Sequence, residues 1–117
     1  MVLAGVCRGT VDLISSEALQ DEVRRNPSMD RRLEAETILS LASITVEIED
    51  ATTRRAQGLV SLGYGPYDAL HIAAAESANV DVMLSTDDRL IKRAARGLGN
   101  PRIPVRNPVS WMKEQVP

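Results

Sequence analysis

The 117-residue chain contains no phenylalanine, and aromatic residues make up only 3% of it. Tyr64, Tyr67 and Trp111 are its only large rings, so a core must be assembled from Leu, Val, Ile, Ala and Met. Modules that stack bases on aromatic platforms are thereby nearly excluded. A single cysteine, Cys7, excludes an internal disulfide framework and a multi-cysteine zinc site. A single histidine, His71, excludes a multi-histidine metal cluster. There is no run of about 18 apolar residues, so no membrane span is expected. The apolar residues 1–6 are too few for a signal peptide and have no basic leader. The expected setting is reducing and cytoplasmic. Mg²⁺ or Mn²⁺ held by carboxylates stays open, because these ions take oxygen ligands.

What is present is the composition of an ordinary globular chain, 44% hydrophobic and 26% charged. Its length fits one domain over residues 1–117. The net charge of −2 hides an asymmetry: residues 1–88 carry seven Lys/Arg against fifteen Asp/Glu, whereas residues 89–117 carry seven Lys/Arg against Glu114 alone. A basic end beside an acidic body attracts phosphates locally. Arg89, Lys92, Arg93 and Arg96 are the candidate nucleic-acid contacts, although short basic runs are usually solvated helix faces.

Residues 2–6 read as the end of a helix closed at Arg8–Gly9, and Cys7 as a small buried hydrophobe. Residues 11–15 read as a strand, with Ser15 or Ser16 capping the helix that follows. Ala18, Leu19 and Val23 face inward on that helix. A second helix has Pro27 in its first turn and Met29, Leu33, Ile38 and Leu41 at helical spacing. Residues 44–48 alternate as a half-buried strand. Helices over 51–62 and 66–78 precede an apolar strand at 80–84, which reads as buried and parallel. A helix from Thr86 to Leu98, a short strand at 102–105 and a terminal helical turn at 109–115 complete the chain. Strands alternating with helices predict an α/β domain, three layers around a mainly parallel sheet. Such sheets place ligands at the carboxyl ends of their strands.

That geometry selects Asp68, in the first turn of its helix, and Asp87 and Asp88, directly after the strand at 80–85. The helix runs away from the edge and the strand returns to it, so the three acids share one edge. Converging carboxylates there bind a hard divalent cation, which polarises a phosphodiester and acidifies a bound water. Each acid taken alone reads as a helix cap or a partner of the macrodipole. Glu22, about two turns into its helix, reads by itself as an exposed glutamate. His71, three residues after Asp68, is expected to hydrogen-bond that carboxylate. Ser15 and Ser16 have no histidine partner nearby in sequence, and Gly63-Tyr64-Gly65 lacks the lysine of a phosphate loop. Nucleophilic catalysis has no support. A phospho-accepting receiver domain is disfavoured, since the acidic pair comes late and the last strand has no lysine.

The stretch Tyr67-Asp68-Ala69-Leu70-His71-Ile72-Ala73-Ala74-Ala75, followed by Val82-Met83-Leu84-Ser85-Thr86-Asp87-Asp88-Arg89-Leu90, resembles the C-terminal half of PIN domains. These are metal-dependent ribonucleases, many of them toxins of toxin–antitoxin pairs. Residues 13–22 resemble the family's second strand and helix, and the resemblance extends over about residues 3–111. It implies that Glu22, Asp68 and Asp88 are the second, third and fourth acids of a Mg²⁺ or Mn²⁺ site, with Asp87 able to contribute. It also implies RNA as substrate, an antitoxin-like protein as partner, and homo-oligomers.

The chain departs from the family at one place. PIN domains open with an apolar strand ending in Asp-Thr-Asn or a close relative, which supplies the first acid and lies at the centre of the sheet. This chain is expected to lack that strand, and Asp12 precedes its own strand, so it cannot substitute. The fold expected is therefore PIN-like and N-terminally incomplete, with a gap of about 10 Å between the neighbours of the missing strand. Three outcomes would close it: a longer natural protein with an earlier start codon, direct pairing of the strands at 11–15 and 80–85, or a partner chain. The function expected is a degenerate relative of Mg²⁺/Mn²⁺-dependent ribonucleases; the alternative is a non-catalytic binding or oligomerisation module.

Overall fold

A computed structural model describes residues 2–7, 12–42 and 44–115, with side chains described over 14–42 and 44–114. The elements run β1 (Val2–Cys7), β2 (Asp12–Ser16), α1 (Glu17–Arg24), α2 (Met29–Leu39), β3 (Ile44–Val46), α3 (Asp50–Ser61), α4 (Pro66–Ser77), β4 (Val82–Ser85), α5 (Asp88–Ala95), β5 (Val105–Arg106) and α6 (Pro108–Gln115). Their ends follow local chemistry. Ser16 caps α1 by accepting from the Leu19 N–H at 3.1 Å, and Ser28 caps α2 through Arg31 N–H. Pro27 therefore precedes α2 instead of lying in its first turn. Gly63, at φ 112°, ends the α3 segment in a conformation that favours glycine, and Pro66 opens α4 at a position where a missing N–H costs nothing.

The strands form one sheet in the order β3-β2-β1-β4-β5. β2 pairs with β3 in parallel, as does β4 with β5. Between them β1 pairs antiparallel with both β2 and β4, Gly5 standing opposite Ile14 on one side and Met83 on the other. Four strands thus run one way and β1 runs against them. Residues 2–6 are strand, not the end of a helix, and the strands at 12–16 and 82–85 do not pair directly. The direction of β1 is forced by the chain: only four residues separate Cys7 from Asp12, enough for a hairpin but far fewer than the dozen a parallel crossover needs. The proposed cap at Arg8–Gly9 and the side chain of Cys7 lie outside the described residues.

The main core lies on one face of the sheet. Ile14, Met83 and Val105 from the strands meet Leu59 of α3, Ile72 and Ala73 of α4, and Leu90 of α5. Strand alternation sends Val82 and Leu84 to the other face, where they pack on Trp111 of α6. The result is helix, sheet, helix. α1 and α2 share a small cluster of Leu19, Val23 and Ala35. The apolar residues at helical spacing over 29–41, Met29, Leu33, Ile38 and Leu41, are exposed, and Ala35 is the buried residue of α2. No helix among the described residues is long and apolar enough to cross a membrane.

Candidate metal centre and nucleic-acid interface

Because β2 and β4 both oppose β1, their carboxyl ends reach the same edge. α1 starts there directly after β2, and α5 starts there after β4. α4 begins at that edge as well, since it runs away from it and β4 runs back. Asp68 and Asp87 come close enough at that edge for the charge of Asp87, and less strongly that of Glu22, to be felt at Asp68.

Asp68 sits in the first turn of α4, half-buried. Burial, and then the negative charge of Asp87, hold its carboxyl above the ordinary range. No Lys or Arg among the described residues pairs with it. Asp87 is the N-cap of α5: its Oδ1 accepts from Arg89 N–H at 2.9 Å and Leu90 N–H at 3.2 Å, and its own N–H donates to Ser85 Oγ at 3.0 Å. The capping expected of this segment is therefore present, and Oδ2 remains for other work. Asp88 is the first residue of α5 and is exposed. Of the two adjacent acids, Asp87 is the one whose charge is felt at Asp68.

Glu22 is engaged elsewhere. Its Oε2 lies 3.0 Å from His71 Nε2, and that hydrogen bond holds its carboxyl below the ordinary range against the opposing effect of burial. His71 thus finds a carboxylate, as expected, but on α1 and not at Asp68. The neighbouring acid repeats the pattern: Tyr67 OH donates to Asp21 Oδ2 at 2.5 Å, and the Tyr67 and His71 rings stack with centroids 6.2 Å apart. Two consecutive acids of α1 therefore grip two residues one turn apart on α4, on either side of Asp68 in sequence. The (i, i+4) spacing of Tyr67 and His71 was a sequence signal for one shared face, but nothing local identified Asp21 and Glu22 as their partners.

Ser15 and Ser16 form no nucleophilic arrangement. Ser16 is a cap, and Ser15 Oγ is buried without a hydrogen-bond partner among the described residues. It lines, with Ser16, His71 and Ala74, a cavity of about 30 Å³ beneath α4.

The donors fit a hard cation in kind, because carboxylate oxygen is what Mg²⁺ and Mn²⁺ take. Among the described residues no three acids or histidines gather closely enough to hold a metal. Two carboxylates completed by water and substrate phosphate are nonetheless a common way to bind Mg²⁺. Asp68 is half-buried, feels the charge of Asp87 and has no Lys or Arg among the described residues paired to it, so the pair offers donors of that kind.

The basic residues divide. Arg93 is committed to the fold, its Nη1 donating to the Gly63 carbonyl at 2.6 Å and its guanidinium standing 5.7 Å from the centre of the Tyr64 ring. Arg89 and Lys92 of α5 and its C-cap Arg96 are exposed at i, i+3 and i+7, one helical face leading away from Asp87.

No curated protein matches the chain. The family model of the PIN domain matches residues 3–97, which spans β1 through α5 and takes in every acid described above. The chain belongs to the PIN domain family, whose members are generally nucleases.

Proposed function

We propose that residues 1–117 form a single PIN domain that binds Mg²⁺ or Mn²⁺ and contacts RNA, with hydrolysis of RNA phosphodiesters reduced relative to a four-acid site. One observation carries this reading. Asp68 and Asp87, nineteen positions apart, are within electrostatic reach of each other, with no Lys or Arg among the described residues paired to Asp68. Asp68 and Asp87 Oδ2 would hold the cation, and Glu22 and Asp88 would contribute from the flanks. When bound, the cation polarises the phosphodiester and acidifies a water. Arg89, Lys92 and Arg96 align the phosphate backbone, and Arg93 holds α5 in place. Hydrolysis is slow on this reading because the strand in the central slot, Val-Leu-Ala-Gly-Val-Cys, brings no acid. As a relative of toxin-like nucleases, the chain would act in the cytoplasm with an antitoxin-like protein as its regulatory partner.

The test is a Mn²⁺ titration by calorimetry of the wild type, Asp68→Asn, Asp87→Asn and Asp88→Asn, followed by a Mn²⁺-dependent RNA cleavage assay. Binding lost in Asp68→Asn and Asp87→Asn supports the site; binding indifferent to Asp68→Asn sinks it.

A second reading, a non-catalytic oligomerisation module, is favoured by α2 and the edge strand β3. Met29 and Leu33 leave apolar side chains exposed on one side of α2, and an edge strand offers unpaired backbone groups to a second chain. It predicts a stable dimer by light scattering with no metal-stimulated cleavage.

A further inference from the structure

We infer that α2 is the contact between two copies of this chain, the two helices lying antiparallel about a two-fold axis so that Met29 of each copy reaches the α1–α2 groove of the other. The inference rests on the oligomerisation reading and deepens it, and it uses none of the acids at the sheet edge. Three features of α2 carry it. Met29 and Leu33, one turn apart, are 63% and 52% exposed, while the stripe that α2 turns toward α1 is a different one, Ala35 and Leu39. Arg32 and Glu36, also one turn apart, flank the exposed apolar pair, and no ion pair among the described residues engages either of them. Finally, a groove of about 320 Å³ runs between α1 and α2, lined by Val23 and Leu39 and by the polar Gln20, Arg24, Glu36 and Ser40.

These features suit a second copy because a two-fold contact requires one surface to complement itself. In an antiparallel pair each side of one helix meets the same side of the other, and a residue ahead of the axis stands level with one equally far behind it. With the axis beside Glu34, Arg32 stands level with Glu36 of the partner subunit, and Glu36 with Arg32 of the partner subunit. The same axis sets Leu33 close to its own symmetry mate. It also brings Met29 level with Leu39 of the partner subunit, a residue that lines the groove. One register therefore occupies the groove, covers the exposed apolar pair and matches both charges. A partner of unrelated sequence would need no such reciprocity. The eleven residues of α2 span about 16 Å, so the contact is small and the dimer dissociates on dilution.

The experiment is sedimentation velocity of the full chain over a concentration series, with thermal melting of every variant as the folding check. The wild type is expected to show a monomer–dimer equilibrium. Leu33→Asp sets two carboxylates against each other at the axis and should leave only monomer. Arg32→Glu and Glu36→Arg should each weaken dimerisation on the order of tenfold, since two exposed pairs turn repulsive at once. The double variant Arg32→Glu/Glu36→Arg restores both pairs with their polarity exchanged and should return the dissociation constant to near the wild-type value. An equimolar mixture of the two single variants should likewise associate more tightly than either alone. A dimer that persists in folded Leu33→Asp, or a double variant no tighter than the single ones, overturns the α2 contact while oligomerisation through another surface stands. A wild type that stays monomeric at every concentration overturns the oligomerisation reading and this inference with it.

Discussion

Replacing Arg55 by alanine should cost this protein more than any other single loss of a charge. Glu76, on the buried face of α4, has a side chain only 1% exposed. Arg55 of α3 reaches it with Nε at 2.8 Å and Nη2 at 3.2 Å, and also donates to the Gly99 carbonyl at 2.8 Å. The Arg102 N–H adds a bond at 2.8 Å, while the largely exposed Arg102 guanidinium stays 3.7 Å away. Removing one member of a buried pair costs about 3–5 kcal/mol, because the other charge is left uncompensated. The Arg102 N–H remains and Arg55 is one-third exposed, so the low end applies, about 3 kcal/mol. At about 4 °C per kcal/mol for a chain of this length, the melting temperature falls by roughly 12 °C.

The pH dependence identifies the cause. Burial pushes the Glu76 carboxyl up, but the bonds from Arg55 and the Arg102 N–H outweigh it and leave the group below its ordinary 4.5. In the wild type this contributes stability that is present above pH 4.5 and lost as the pH falls through the lower folded-state value. Without Arg55, only the Arg102 N–H and the more distant Arg102 guanidinium still oppose burial, the largest effect on this group, and the carboxyl rises, so the charged form costs stability that is relieved as the pH falls toward 4.5. The gap between variant and wild type is therefore widest at neutral pH and narrows in acid. Urea denaturation followed by Trp111 fluorescence at pH 7 and pH 4 measures both gaps. An equal loss at the two pH values would refute the reasoning and assign the effect to packing of the arginine stem. The double replacement Arg55→Met/Glu76→Leu should recover much of the stability, since it leaves no buried charge behind.

Asp68→Asn should raise the melting temperature at pH 7 in metal-free buffer. Its folded-state value lies above 3.8 through burial and Asp87, so the charged carboxyl costs stability above that value and the cost fades as the pH falls to 3.8; a gain that persists at pH 3 would contradict this. Gly99→Ala should be much worse than Gly97→Ala. Both glycines have positive φ, at 74° and 77°, a penalty of about 1 kcal/mol for alanine. A Cβ at Gly99 would stand 2.5 Å from Leu59 Cδ2, whereas at Gly97 it meets open space; overpacking adds about 1–3 kcal/mol at the first position only. Equal melting temperatures for the two variants would sink the packing argument.

The parts of the fold legible in the sequence were those with local causes. The caps at Ser16 and Asp87, proline at the start of α4 and the apolar strand at 82–85 all announce themselves within a few residues, and each placed a helix or strand end to within a few positions. The edge shared by Asp68 and Asp87 followed from alternating helix and strand alone. What was missed depended on distant neighbours. A six-residue apolar run has no periodicity that separates strand from helix, and β1 is a strand because β2 and β4 both require a partner. Met29, Leu33, Ile38 and Leu41 stand at helical spacing, yet Met29 and Leu33 point to one side of α2 and Ile38 to the other. Only the stripe between, at Ala35 and Leu39, meets α1. Proximity in sequence points His71 to Asp68, yet its carboxylate partner comes from α1, separated from α4 by α2, β3 and α3.

The position of β1 separates two jobs that one strand does in a PIN domain: completing the sheet and supplying an acid. Either direction satisfies the ladder, since parallel and antiparallel pairing both use the backbone groups of β2 and β4. Direction decides which end of the strand reaches the acid edge. A strand running with β2 and β4 delivers its carboxyl end there, whereas β1 delivers its amino end, with Val2 opposite Ser85. An acid is therefore restored at this end of β1 or not at all. Adjacent positions face opposite sides of a sheet, and the irregular register between Val2 and Ala4 calls for trying both Val2→Asp and Leu3→Asp. One of the two should tighten Mn²⁺ binding relative to the wild type, on the order of tenfold as for a single added partner of a metal, and its effect should vanish in combination with Asp68→Asn. If neither changes the affinity while Asp68→Asn abolishes it, the amino end of β1 does not reach the cation, and the central slot serves the sheet alone.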